Sequence, residues 1–285
     1  MNRLNEFESP DRLITNNSET SSERSKDLLC TKTEPVISFK EIYAMHNTSD
    51  KTGFCGKPSI TNGSEWLERI KALDFAFQPI VNIHTGSFYG LEALLRNYAE
   101  AGFPNIQEVF DKAHQDGMLF TLDLALRKKV LEKFTRLEFH DKTKLFYNID
   151  NRVLFAPDYS PATVQNVMEG YRITAGTFYF EVSERQDVET FHAHEFKNIN
   201  EIKSALNYYR QDLYKIAIDD YGSGLSGLKL LYHSEPDYVK IDRFFISGIE
   251  NDARKRLFVS TTLNMARILG INVIAEGVET KEEYY

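Results

Sequence analysis

From Trp66 onward, short runs rich in β-branched and aromatic residues alternate with longer stretches of helical period, and this alternation restricts the fold more than any other feature. The runs are Phe75–Ile83, Phe88–Leu95, Leu145–Ile149, Phe178–Val182, Ile216–Ile218, Tyr238–Ile241 and Asn272–Ala275. Helix-like stretches fall at Gln107–Asp116, Leu122–Phe134, Ala162–Tyr171, Ile199–Gln211, Gly227–Tyr232 and Ala253–Leu269. Strands apolar on both faces, alternating with amphipathic helices, specify a mainly parallel sheet wrapped by helices. Only His84-Thr85-Gly86-Ser87 separates the first two runs, which suits a hairpin and is too short for a parallel crossover. One antiparallel strand near the start is therefore expected. Seven strands followed by a helix start at Lys281–Tyr285 fit an α/β, TIM-like (β/α)8 barrel whose last βα unit is missing. A complete barrel takes about 250 residues, more than this stretch holds.

The first 64 residues read differently: Ser, Thr and Asn supply 22 of them, and apolar periodicity is confined to Phe39, Ile42 and Tyr43, where a short helix is conceivable. The expectation is a flexible leader over 1–64 and a barrel domain over 65–285. Both cysteines, Cys30 and Cys55, lie in the leader, so neither a disulfide nor a cysteine-built zinc site can hold the domain. A net charge of −8 with no basic cluster argues against long nucleic acid as a partner. No stretch approaches the roughly 20 apolar residues of a membrane-spanning helix, and the start lacks the pattern of a secretory signal. A cytoplasmic protein without membrane insertion is expected.

Polar residues interrupt the apolar runs at strand ends: Glu92, Asn148, Glu181, Asp219, Asp220, Lys240, Asp242 and Glu276. In a barrel such ends converge on one mouth, where active sites of this architecture lie. Wet strand ends explain any one of these residues, but not hydrogen-bonding groups inside runs such as YNI and FEV. Carboxylates gathered there repel by about 4 kcal/mol per pair at ~4 Å and an effective dielectric of about 20. Oxygen ligands with one amide, and neither cysteine nor histidine, suit Mg2+ or Mn2+. Adjacent acids such as Asp219 and Asp220 can bridge two ions, the arrangement that clamps attacking and leaving oxygens in phosphoryl chemistry.

Two other motifs compete for attention. Gly222-Ser-Gly-Leu-Ser-Gly227 matches the dinucleotide fingerprint, with Asp242 about 20 residues on. The two carboxylates directly before it would repel a pyrophosphate, so a glycine-rich loop carrying metal ligands fits better. His192 and His194 are spaced like metal ligands, but residues two apart on a helix point to different faces, and surface histidines are the simpler reading.

With these residues assembled, the sequence resembles the EAL family of bacterial cyclic di-GMP phosphodiesterases. The matching segments run in order: FQPIVNIHTG, Glu92-Ala93-Leu94 followed by Arg96, FYNID, FEVSE, DDYGSG, VKID and AEGVE. The resemblance covers roughly Trp66 to Tyr285. It implies metal-dependent hydrolysis of cyclic di-GMP to linear pGpG. It implies that Glu92, Asn148, Glu181 and Asp219 hold one Mg2+ or Mn2+ ion, and Asp219, Asp220 and Glu276 a second. Lys240 would contact the attacking water and Glu276 accept its proton. Gln78 and Arg96 are similar to the family's substrate contacts, Arg96 being suited to a phosphate oxygen by its fork of donors. Glu184 resembles a glutamate that orders the loop at Asp219, and Glu279 is taken as a second loop-ordering residue. A homodimer is a further implication of the resemblance.

The family continues past AEGVE through another helix and strand to a glutamine-glycine motif, and this sequence stops at Tyr285. Without an eighth strand, the first and seventh strands are expected to carry unpaired edges. A fragment, a barrel completed by another chain and a degenerate protein all fit this departure. The alternative function is accordingly a non-catalytic module that binds cyclic di-GMP or a protein partner.

Overall fold

The computed structural model describes residues 13–16, 60–156, 158–173, 176–183, 206–207, 210, 214–224 and 227–284. Within them the apolar runs form β2 (Asp74–Asn82), β3 (Phe88–Arg96), β4 (Lys144–Ile149), β5 (Phe178–Ser183), β6 (Lys215–Tyr221), β7 (Tyr238–Ile241) and β8 (Asn272–Glu276). Helices lie between or beside them: α1 (Ile60–Ala72), α2 (Ile106–Gln115), α3 (Leu119–Phe134), α4 (Pro161–Gly170), α5 (Gly227–Ser234), α6 (Arg243–Ile246), α7 (Ala253–Leu269) and α8 (Lys281–Tyr284). The possible helix around Phe39, the histidines His192 and His194, and most of Ile199–Gln211 lie outside the described residues.

β2 runs against its neighbours, as the short turn requires, and β3 to β8 pair in parallel. The edges expected to be unpaired are not. A strand within the expected leader, β1 (Leu13–Asn16), lies between β2 and β8 and closes the barrel, antiparallel to the first and parallel to the second. The physical reason is the cost of bare edges: along Ile80–Asn82 of β2 and Val273–Glu276 of β8, backbone donors and acceptors gain partners when a strand enters the seam.

Caps fix where the helices begin and end. The side chain of Asn105 accepts from Glu108 N at the start of α2, and that of Asp252 accepts from Arg254 N and Lys255 N at the start of α7. Gly270 ends α7 in the left-handed conformation. α3 is buried over most of its surface, which holds the helix layer against the outer faces of the sheet.

Inside the barrel, Ile80, Phe146, Tyr179, Ala217, Tyr238 and Ile274 fill one layer. Phe146 stacks on Tyr179 with ring centroids 4.6 Å apart. Gly90 makes room for this packing, because a Cβ there would stand 3.1 Å from the Phe146 ring and 3.0 Å from the Lys144 carbonyl oxygen. This apolar floor forces the polar strand ends above it into a single mouth.

Candidate metal-lined active site

Alternation along the strands carries the interior face from the apolar layer to the next residues toward the mouth: from Phe146 to Asn148, Tyr179 to Glu181, Ala217 to Asp219, Tyr238 to Lys240 and Ile274 to Glu276. Glu92 stands on β3 opposite Gln78 of β2. The ammonium of Lys240, fully buried, is the centre of the group. Its Nζ lies 2.9 Å from Glu92 Oε1, 2.8 Å from Glu181 Oε1, 2.8 Å from Asp219 Oδ1 and 2.9 Å from Glu276 Oε1. Asn148 Nδ2 donates to Glu181 Oε2 at 2.9 Å and to Glu92 Oε1 at 3.4 Å. A half-turn of that amide presents Oδ1 instead.

Four carboxylates around one ammonium leave a buried charge of −3 when all are ionised. Burial pushes the carboxyls of Glu181 and Glu276 well above the usual range; Lys240 counteracts this, and neighbouring carboxylates add to it. Burial opposes the charge on Lys240, but the surrounding carboxylates outweigh it and hold its pKa well above that of an ordinary lysine. Glu181 Oε1 and Asp219 Oδ1 are buried and make no well-directed hydrogen bond despite their closeness to Lys240. Glu92, Glu181 and Asp219 each offer an oxygen within 4.8 Å of the others, and such a hard, oxygen-rich and undercompensated cluster fits a divalent cation.

Asp219 and Asp220 both reach the mouth because β6 bulges there. The pairing jumps from Ile218↔Val239 to Tyr221↔Ile241, which places one extra residue on β6. Asp220 takes up the bulge at φ 54°, a left-handed conformation that Asp tolerates better than most residues. Gly222 follows at φ 97°, where a Cβ would come within 2.5 Å of the Phe245 ring.

Asp219 and Asp220 also line a cleft of about 290 Å³ beside the carboxylates, together with Asn148 and Arg96. The exposed Arg96 donates from a guanidinium nitrogen to the Leu95 carbonyl at 2.9 Å. Gln78 is half-buried, level with Glu92. Glu279 pairs with Arg243 of α6 at 2.8 Å, and Glu184 lies outside the described residues. Asp242, noted among the strand-end acids, instead caps α6 by accepting from Phe244 N.

The cleft wall holds residues that sequence reasoning did not single out. Ile106, Gln107 and Phe110 of α2 form one side, and Asp150 part of the other. Arg152 joins the two sides, bonding Asp150 and Asp111 at 2.7 Å each. Hydrogen bonding to Asp150 raises the Arg152 pKa, so this clamp stays charged. Apolar positions on α2 look like ordinary core in the sequence, and nothing in their spacing marks them as a cleft wall.

Comparison with known proteins agrees with this geometry. The profile of the EAL domain family matches residues 65–285. The probable cyclic di-GMP phosphodiesterase PdeG of Escherichia coli is 26% identical over 211 residues, and PdeI, similarly described and from the same organism, is 29% identical over 243. These alignments cover 73% and 80% of this chain but 40% and 30% of the relatives, so the chain spans less than half the length of either. A standalone EAL protein of Vibrio cholerae, solved with cyclic di-GMP bound, matches at a TM-score of 0.59 and 29% identity, covering 74% of this chain and 84% of that one. BlrP1 of Klebsiella pneumoniae, solved with manganese and cyclic di-GMP, matches at 0.60 and 27%, covering 75% and 51%. Among the described residues, no helix is long and apolar enough to cross a membrane.

Proposed function

The chain belongs to the EAL domain family, and from that premise we propose that it hydrolyses cyclic di-GMP to linear pGpG in the cytoplasm with Mg2+ or Mn2+ as cofactor. One observation carries the reading: four carboxylates surround a single buried ammonium at the mouth of the barrel, and the Asn148 amide bonds two of them. Glu92, Asn148, Glu181 and Asp219 would hold one ion, and Asp219, Asp220 and Glu276 a second. Bound divalent ions supply the positive charge a phosphodiester needs and lower the pKa of water toward neutrality.

The remaining roles fall to the chain itself. Lys240, charged and fixed on all sides, holds the attacking water in line with phosphorus. Glu276, whose carboxyl is pushed up by burial, accepts the proton that this water gives up. Water's oxygen bonds to phosphorus as one P–O ester bond breaks, the ribose oxygen that leaves takes up a proton from solvent water, and the ring opens. Arg96 on the cleft wall and Gln78, level with Glu92, hold the substrate, and Glu184 orders the Asp219 loop. Glu279 steadies the same region through Arg243 and α6. We infer in addition that two copies pair through α5 and α6, which follow β6 and β7 and expose Leu228, Tyr232 and Phe244.

The test is direct. Purified protein given cyclic di-GMP with Mn2+ should release pGpG, and Glu92→Ala should abolish release in a protein that circular dichroism shows to be folded at the assay temperature. A folded protein that binds cyclic di-GMP by calorimetry without releasing pGpG is instead the non-catalytic binding module, and the hydrolytic reading fails.

A further inference from the structure

The wall that α2 gives the cleft is tied to the segment that follows β4. Only Val109 and Ala113 of the ten residues of α2 are buried, so apolar packing alone holds this helix by a narrow stripe. Asp150 comes directly after β4 with a side chain 1% exposed, and Arg152 bonds both its oxygens, from Nε to Oδ1 at 3.0 Å and from Nη2 to Oδ2 at 2.7 Å. Nη1 of the same guanidinium donates to Asp111 Oδ1 on α2 at 2.7 Å. That oxygen also accepts from Gln107 Nε2 at 2.9 Å, and Gln107 lines the cleft with Asn148, Asp219 and Asp220. Two ion pairs thus connect a buried anchor to an exposed amide.

This chain of bonds decides which end of the amide a ligand meets. An ionised carboxylate only accepts hydrogen bonds, so Gln107 must turn its NH2 group to Asp111 and keep Oε1 for whatever enters the cleft. Burial opposes the charge on Asp111, but hydrogen bonds from Arg152 and Gln107 outweigh it and hold its carboxyl below the ordinary 3.8. The amide therefore keeps one polarity at neutral pH.

We propose that Gln107 is a specificity-determining residue that selects guanine through its carbonyl oxygen, and that Asp111 is the positioning residue that fixes its amide. The inference deepens the cyclic di-GMP reading above and rests on it. The pairing edge of guanine carries two adjacent donors, N1–H and the 2-amino group, and a fixed carbonyl oxygen can accept from them. Adenine sets a single donor, its 6-amino group, between acceptor nitrogens, and is met best by an amide free to offer both its oxygen and its NH2 group. A glutamine that cannot turn favours the first base over the second.

The test is calorimetric binding of cyclic di-GMP and of cyclic di-AMP with Ca2+ in place of Mn2+. The unaltered protein should bind cyclic di-GMP about tenfold more tightly, the scale of one hydrogen bond. Gln107→Leu, at an exposed position, should lose about that factor for cyclic di-GMP and less than twofold for cyclic di-AMP. Asp111→Ala frees the amide, so cyclic di-GMP should bind about threefold more weakly and cyclic di-AMP more tightly. Opposite signs for two ligands are not what a merely structural role gives, since a slackened wall weakens both. Gln107→Leu decides the matter if Asp111→Ala does not fold. Equal affinities in the unaltered protein, shifts of one sign for both ligands in Asp111→Ala, or a change under twofold for cyclic di-GMP in Gln107→Leu overturn the assignment and leave the hydrolytic reading standing. A folded protein that binds neither dinucleotide defeats the substrate reading and this one with it. Selective binding without release of pGpG upholds the role of Gln107 and removes only the hydrolysis.

Discussion

Lys240 has three protons to donate and four carboxylates within 2.9 Å, so its contacts cannot all be satisfied at once. Its worth lies in charge as much as in hydrogen bonds. Removing one partner from a buried ionic group costs about 3–5 kcal/mol, because the charges left behind are uncompensated. Lys240→Met keeps the length of the side chain and deletes the charge. In chelator-treated protein, urea unfolding should show a loss of about that size. Saturating Mn2+ should recover part of the loss, since a ligand that binds only the folded state stabilises it. An unchanged unfolding midpoint without metal would mean that the carboxylates are already protonated and the ammonium is dispensable.

At the scale of elements, α3 carries a second buried ion pair directly behind the site. Arg127 Nε meets Asp123 Oδ2 at 2.6 Å with both side chains almost wholly buried. Asp123 accepts from the Tyr147 hydroxyl at 3.2 Å, and the Arg127 guanidinium lies 4.6 Å from the Phe180 ring centre. The residues following those two aromatics, Asn148 and Glu181, face the opposite way, into the site. Arg127→Met should therefore cost about 3–5 kcal/mol in urea unfolding, while Asp123→Leu/Arg127→Met should recover most of it, since apolar replacement of a whole buried pair is often neutral. A double variant as unstable as the single one would show that the aromatic contacts, rather than the lone charge, are what is lost.

α1 is fastened differently. Trp66, the chain's sole tryptophan, stacks on Phe103 and donates from Nε1 to Asp116 Oδ2 at 3.0 Å. Burial opposes the charge of Asp116, but hydrogen bonds from Lys112 and Trp66 outweigh it and hold its carboxyl below the ordinary 3.8. A depressed folded pKa gives stability that is present above 3.8 and lost as pH falls through the folded value. Trp66 fluorescence should hold steady from neutrality to about pH 4 and shift below it, and Asp116→Asn should remove that step.

These elements also show what could be read from the sequence. Tyr238–Ile241 and Ala253–Leu269 have the bounds their patterning implied, because long apolar periodicity and a cap at Asp252 leave little choice. Glu92, Asn148, Glu181 and Lys240 stood out as polar groups inside apolar runs, and the fold brings them together. β1 was not legible, because four residues in a Ser- and Asn-rich stretch have no periodicity of their own and gain their strand from the open seam. Asp123 and Arg127 were hidden for the opposite reason: charges four apart on a helix ordinarily mark a solvent face.

For the whole molecule, apolar floor and polar rim put the chemistry at one end of the barrel, and the helices after β6 and β7 carry exposed apolar surface. Leu228 is 67% exposed, Tyr232 75% and Phe244 66%, a concentration of large side chains that a lone domain gains little by leaving in water. The same region supports the bulged loop, since Gly222 packs against Phe245, the neighbour of Phe244. Pairing there would bury those side chains and stiffen the backbone that presents Asp219 and Asp220. Light scattering at tens of micromolar should then give twice the monomer mass, and Leu228→Asp/Tyr232→Asp should give the monomer with an unchanged melting temperature. Turnover of cyclic di-GMP should fall in that monomer more than binding does, because the loop's carboxylates lose support while the cleft wall at α2 stays intact. A native protein that scatters as a monomer would end the pairing model, and a monomeric variant with full turnover would separate pairing from the order of the loop.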